Sequence, residues 1–167
     1  MMRFMAGAAV LLLAGAGMAQ AAIAAPAADA RVRTRADLQA YLDHFNNKQY
    51  DQQVAYYAPD VVYKVGDLTL TSPKAIADFY RDFHLYVKEH VRIVDFIKDG
   101  DTVAVTMPSQ FEAFKDYDKH GLKYKAGESK YIVSFIFYKL QNGKIKQIRV
   151  ARYNGPPTDF GPSQPIK

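Results

Sequence analysis

The sequence contains no cysteine and no tryptophan. Without cysteine there is no disulfide framework, no thiol nucleophile and no cysteine-ligated metal, so stability must come from packing alone. Other chemistries are missing too. His44, His84, His90 and His120 have no metal-ligand spacing, and Glu112 falls on the outward parity of its strand, which argues against a metal site. No Gly-rich loop follows a strand and opens a helix, which speaks against a nucleotide cofactor, and no G-x-S-x-G occurs. No other cofactor is implied. The formal charge is +5, or +4 without Arg3, and no basic helix or stripe gathers it, so nucleic acid is not an expected partner. Long apolar runs are scarce. The first 25 residues, "MMRFMAGAAVLLLAGAGMAQAAIAA", have a basic start at Arg3, an apolar centre at Leu11–Leu13 and two small-x-small sites, Ala19-Gln20-Ala21 and Ala22-Ile23-Ala24. This is the pattern of a cleaved secretory signal peptide, and the apolar run is short for a membrane anchor. The expected product is an exported, periplasmic or secreted protein with no membrane segment after cleavage.

What remains is about 140 residues, one domain by length, with 12 tyrosines as its oddest feature. The expected organisation is a signal peptide at 1–25, a flexible leader at 26–33, a folded domain at 34–154 and a Pro/Gly-rich, frayed tail at 155–167. Thr34 and Asp37 form a capping box ahead of Leu38, Tyr41, Leu42 and Phe45 at helical spacing. "YDQQVAYYA" reads as a second helix stopped by Pro59, and "DVVYKV" as a strand turned by Gly66-Asp67. Ser72-Pro73 starts a third helix whose apolar stripe runs Ile76, Phe79, Tyr80, Phe83, His84 and Val87. The period then switches to two. Two strands meet around Asp99-Gly100, a polar stretch fills 115–130, and "KYIVSFIFY" turns through "LQNGK" into a last strand. The layout is α+β: a curved antiparallel sheet wrapping about three helices into a cone. "KYIVSFIFY" is apolar on both faces. Ile132, Ser134, Ile136 and Tyr138 should point into the cone, and Tyr131, Val133, Phe135 and Phe137 outward, as the face of a homodimer.

"YDQQVAYYAPDVVY", "SPKAIADFYRDFH" and "FYKLQNGKIKQIRV" resemble the helix-two-to-strand, third-helix and final-hairpin patterns of the NTF2-like superfamily, and within it the SnoaL-like group. The resemblance spans about residues 34–154. It implies the cone fold, which hosts isomerases, cyclases, dehydratases, epoxide hydrolases, cofactor-free lyases and binding domains. Of the catalytic positions of ketosteroid isomerases, the oxyanion-hole tyrosine falls on Tyr41. The general-base aspartate falls on Val65 and the second oxyanion-hole acid on Ile136, so ordinary steroid isomerisation is not expected.

The expected cavity is apolar and aromatic with a few polar tips, as small-molecule sites are. The candidate catalytic residues are Tyr41 and Tyr63 as donors to a developing oxyanion, His84 as acid/base and Asp67 as a displaced general base. For His84 the alternative is a core histidine bonded to a tyrosine; for Asp67, a turn residue. Tyr57, Tyr80, Met107, Ser134, Ile136 and Arg152 are candidate substrate-binding residues, Arg152 for an anionic or phenolic substituent. The expected function is a cofactor-free lyase, dehydratase or isomerase using Tyr/His acid–base chemistry on a small apolar, aromatic substrate. By analogy with SnoaL-like lyases that release formaldehyde, this includes a lignin-derived diaryl compound. The alternative is a non-catalytic periplasmic carrier of the same fold.

Overall fold

The structure is a computed structural model and describes residues 29–163 and 166. The expected signal peptide lies outside the described residues. Helix α1 (Arg35–Asn46) begins as its sequence dictates. The Thr34 hydroxyl accepts from the Asp37 amide, the Asp37 carboxylate accepts from the Thr34 amide, and Leu38, Tyr41, Leu42 and Phe45 are buried. Each such side chain contributes about 1.5–3 kcal/mol on burial. Helix α2 (Tyr50–Val54) is shorter than its apolar pattern suggests. Tyr57 and Pro59 already belong to strand β1 (Tyr57–Val65), with an irregularity between Tyr57 and Val62 where Pro59 and Asp60 are exposed. A bulged stretch tolerates a residue with no amide proton, so Pro59 bends this strand instead of ending a helix.

Strand β2 (Leu68–Leu70) returns along β1, and α3 (Pro73–Phe83) starts with the Ser72 hydroxyl accepting from the Ala75 amide. The helix stops at His84, and Val87, expected on its stripe, opens β3 (Val87–Val91). Strands β3 and β4 (Asp95–Asp99) pair end to end along one edge of β5 (Thr102–Ala113). Buried Pro108 lies at their junction, where the Arg92 amide donates to the Pro108 carbonyl and no strand partner needs its missing amide. The polar stretch 115–130 is not a plain loop. It forms a hairpin of β6 (Tyr117–Lys119) and β7 (Leu122–Tyr124), held down by buried Tyr117 and Tyr124.

Strand β8 (Ser129–Gln141) pairs with β5 along its whole length and with β9 (Lys144–Arg152) on its other edge. The sheet order is β2-β1-β9-β8-β5-β3, antiparallel except for the parallel β1–β9 pair, and it curls around the three helices. The fold class expected from sequence is therefore the one observed.

Two terminal segments depart from expectation. Residues 29–33 of the supposed flexible leader are packed. Val32 is buried, its amide donates to the Gly143 carbonyl at 2.8 Å, and Lys144 Nζ donates to the Ala30 and Ala55 carbonyls. A Cβ on Gly143, whose φ is +78°, would meet Arg31 Cβ at 2.9 Å, so both the left-handed turn and this close approach require glycine. The tail is not frayed up to Ser163 either. A 3-10 turn (Pro157–Phe160) lays Phe160 against Phe135 and Tyr153, at centroid distances of 6.2 and 5.1 Å. Tyr131 Oη donates to the Gly161 carbonyl, and Arg92 donates to the Phe160 carbonyl and Tyr131 Oη. This tail covers much of the outward row that sequence assigned to a dimer partner. Val133 is buried, and Phe137 is the member left exposed, at 43%.

Candidate active site

The cone encloses a cavity of about 520 Å³. The pleat of β8 points Ile132, Ser134, Ile136 and Tyr138 into it. The sheet register sets Met107 opposite Ser134, Val105 opposite Ile136, Val150 beside Ile136 and Arg152 beside Ser134. Helix α1 supplies Tyr41, Leu42 and Phe45, and α3 supplies Ile76, Phe79 and Tyr80. The rim is made by Gly66-Asp67, by His120, Gly121 and Leu122 at the tip of the β6–β7 hairpin, and by Arg152. Asp67 and Arg152 are exposed there.

Tyr41, Tyr57, Tyr63, Tyr80, Asp67, Met107, Ser134, Ile136 and Arg152, all candidates from sequence, line this one cavity. His84 does not. Its side chain is only 3% exposed and lies behind the wall, packed against the rings of Phe45, Tyr80 and Phe83. Its Nδ1 bonds the Tyr50 hydroxyl at 2.6 Å, the tyrosine-bound core histidine that was the alternative reading.

Two tyrosine pairs set the electrostatics. Tyr41 Oη lies 2.8 Å from Tyr57 Oη, which accepts at 3.2 Å from the Gln53 amide nitrogen. When Tyr57 donates to the Tyr41 oxygen in this pair, the Tyr41 proton is free for a ligand. Tyr63 and Tyr80 pair at 3.0 Å. Burial pushes all four hydroxyls above the ordinary tyrosine value, Tyr57 and Tyr80 furthest. For Tyr41 and Tyr63 the bond from the partner phenol partly offsets burial, because it stabilises a developing phenolate. All four are proton donors at neutral pH, with Tyr41 and Tyr63 the better ones.

The carboxylate that sequence reasoning missed is Glu89. It lines the cavity from β3, its side chain is 10% exposed, and its Oε2 lies 3.6 Å from His84 Nε2. Added to burial, its negative charge helps raise the hydroxyls of Tyr41, Tyr50, Tyr63, Tyr80 and Tyr124. Glu89 therefore sits at the hub of the phenols. The signal was available: buried Val87 and Val91 flank it at strand parity, but Val87 reads equally well as the end of the α3 stripe. Tyr138 and Phe79 line the cavity as the β8 parity and the α3 stripe place them, while buried Gln53, and His120, Leu122 and Tyr124 of the hairpin, were missed. Among the described residues no group of three or more His, Asp or Glu is placed to hold a metal, and no helix is long and apolar enough to cross a membrane.

A helix-filled, curled sheet enclosing an apolar cavity with a few polar groups defines an NTF2-like small-molecule protein. The model of the SnoaL-like domain matches residues 38–148, and the chain belongs to that family. No curated protein matches it. Solved structures show the same fold at low identity. A putative polyketide cyclase from Xanthomonas campestris pv. campestris is 20% identical over 68% of this chain and 84% of its own, with a TM-score of 0.59. An LEH-like epoxide hydrolase of M. tuberculosis is 18% identical over 70% of this chain and 79% of its own, with a TM-score of 0.57. TerC, co-crystallised with polyporic acid, is 14% identical over 70% of this chain and 88% of its own, with a TM-score of 0.57.

Proposed function

We propose that the protein is an exported, cofactor-free enzyme that performs a lyase, dehydratase or isomerase step on a small aromatic substrate, with Glu89 as the base. The single observation that carries this reading is a mostly buried carboxylate facing a cavity walled by tyrosines. A polar group converging on an apolar, aromatic cavity is what orients and acts on a small-molecule ligand. The apolar walls take the rings. Tyr41 and Tyr63 donate protons where negative charge develops on a substrate oxygen. Glu89 replaces His84 in the acid/base role expected from sequence, because Glu89 reaches the cavity and His84 does not.

The finer form of the proposal is a diaryl diol related to lignin fragments. Glu89 takes the proton of a hydroxymethyl group, and the carbon–carbon bond breaks to release formaldehyde. The electron pair of that bond forms a new double bond, and a neighbouring benzylic hydroxyl leaves as water with a proton from Tyr41 or Tyr63. The proton that Glu89 took goes back to the phenol that gave one up, and the diol is converted to alkene, formaldehyde and water with no oxidant or reductant consumed.

The test is a panel of phenolic diaryl compounds with and without the hydroxymethyl and benzylic hydroxyl groups, assayed for formaldehyde and for alkene product by mass spectrometry. Glu89→Gln should lower kcat by at least about 10²-fold while ligands still raise the melting temperature. Ligand-induced stabilisation with no turnover in the wild type would instead identify a carrier, for which apolar Val65 and Ile136 at the catalytic positions of relatives already speak.

A further inference from the structure

We propose that Tyr50, His84 and Glu89 form a positioning chain, in which the Tyr50 hydroxyl fixes the tautomer of His84 so that its Nε2–H holds Glu89. This deepens the site just described and rests on Glu89 being its base. Three observations carry it. The Tyr50 hydroxyl has one proton and two acceptors in reach, His84 Nδ1 at 2.6 Å and the Tyr80 carbonyl at 3.5 Å. The shorter contact wins, since a hydrogen bond at 3.5 Å is at the limit of what counts as one. Burial, its largest cause, pushes the Tyr50 hydroxyl up to about 12, so it keeps that proton. Nδ1 of His84 is then the acceptor, and the ring proton belongs on Nε2.

Nε2 is fully buried with no hydrogen-bond partner, and Glu89 Oε2 lies 3.6 Å from it. An orphaned buried donor costs stability, and a small turn of the carboxylate would satisfy it. Catalytic hydrogen bonds are often long before substrate binds and tighten in the complex. Holding Oε2 in this way aims the other oxygen, Oε1, at the substrate.

The groups packed against the imidazole leave few rivals. Phe45 from α1, and Phe83 and Tyr80 from α3, present rings, Tyr50 comes from α2 and Glu89 from β3. Arg81 lies 5.4 Å over the Tyr50 ring and donates to Asp51 at 2.6 Å, which pins Tyr50 from the solvent side. Tyr50 is thus a half-buried residue outside the cavity that controls a group inside it.

Nitrogen-15 NMR of histidine-labelled protein tests the chain without any substrate. At neutral pH the wild type should show His84 protonated on Nε2 and bare on Nδ1, and Tyr50→Phe should shift the ring toward the Nδ1–H form. A wild-type Nδ1–H tautomer, or a tautomer that ignores Tyr50→Phe, overturns the proposal. With an active substrate, Tyr50→Phe should lower kcat about tenfold with KM unchanged, and His84→Gln, whose amide sits where Nε2 does, should retain more activity than His84→Leu. Equal loss in the two His84 variants would reduce His84 to packing and overturn the proposal. Absence of turnover in the wild type refutes the enzyme reading instead, and leaves the tautomer measurement to decide the chain.

Discussion

Replacing Ile136 by aspartate puts an acid where steroid isomerases carry one, and measures how dry the cavity wall is. Ile136 is 9% exposed, flanked by Val105 and Val150 on the neighbouring strands. Losing its buried side chain should cost about 2–3 kcal/mol. Leaving a poorly paired carboxyl there, with Ser134 and Tyr41 as its partners in the wall, should cost about 1–3 kcal/mol more. The sum, about 3–6 kcal/mol, is a large part of the 5–15 kcal/mol by which an ordinary domain is stable. At about 3–5 °C per kcal/mol for a domain of this size, the melting temperature should fall by about 10–30 °C at neutral pH. The pH dependence has a definite sign. Burial raises the carboxyl pKa in the folded state above its unfolded value of about 3.9, so the unfolded chain ionises first. Below that value both states are protonated and the charge penalty vanishes; above it the gap to wild type widens with pH. Calorimetry of Ile136→Asp and the uncharged Ile136→Asn across pH 4–8 separates the two costs. An aspartate variant whose deficit is the same at both ends of that range would show a hydrated carboxyl, and refute a closed apolar wall at Ile136.

Alkaline titration followed by ultraviolet absorbance should show that Tyr57, Tyr63, Tyr80 and Tyr138 ionise well after the exposed phenols, and Tyr41 later than they do. Their folded-state values are raised, so the folded protein binds more protons than the unfolded chain and stability must fall as pH climbs past about 10; full ionisation without unfolding would contradict the buried phenol pairs. Phe160→Ala should lower stability by about 1–2 kcal/mol through the two ring contacts it removes, and an unchanged melting temperature would show that the tail does not sit on the sheet. The homodimer expected from the outward row of β8 must use what the tail leaves open, the strip from Phe137 across Ala104 to Ile97, which is 68% exposed. Light scattering should therefore show a dimer that Phe137→Glu dissociates, and a wild-type monomer at micromolar concentration would remove the dimer from consideration.

The features that short-range chemistry dictates are legible in the amino-acid sequence by itself. Thr34 with Asp37, and Ser72 with Pro73, start helices because each satisfies amides within three residues of itself. Asn142-Gly143 turns a hairpin because both residues adopt positive φ, and the two-residue period of β8 alone puts Ser134 and Ile136 inside. Most of the site candidates follow from that parity and from helical spacing, whereas Asp67 lines the cavity from the turn after β1 and Tyr57 from the irregular start of that strand. Tertiary structure decided the rest. Periodicity states which side of an element a residue occupies, but not where the element ends or what covers that side. Ending α3 at Phe83 moved Val87 into a strand, which turned Glu89 inward and left His84 behind the wall. Tyr117 and Tyr124 look like loop tyrosines until Phe83 and Phe111 come to meet them from distant elements. Residues 155–163 have a composition that predicts disorder, and they are ordered by an acceptor for Tyr131 and a ring against Phe135. Each of these contacts joins segments far apart in the chain, and the free energy that orders them belongs to the pair and is carried by neither segment alone.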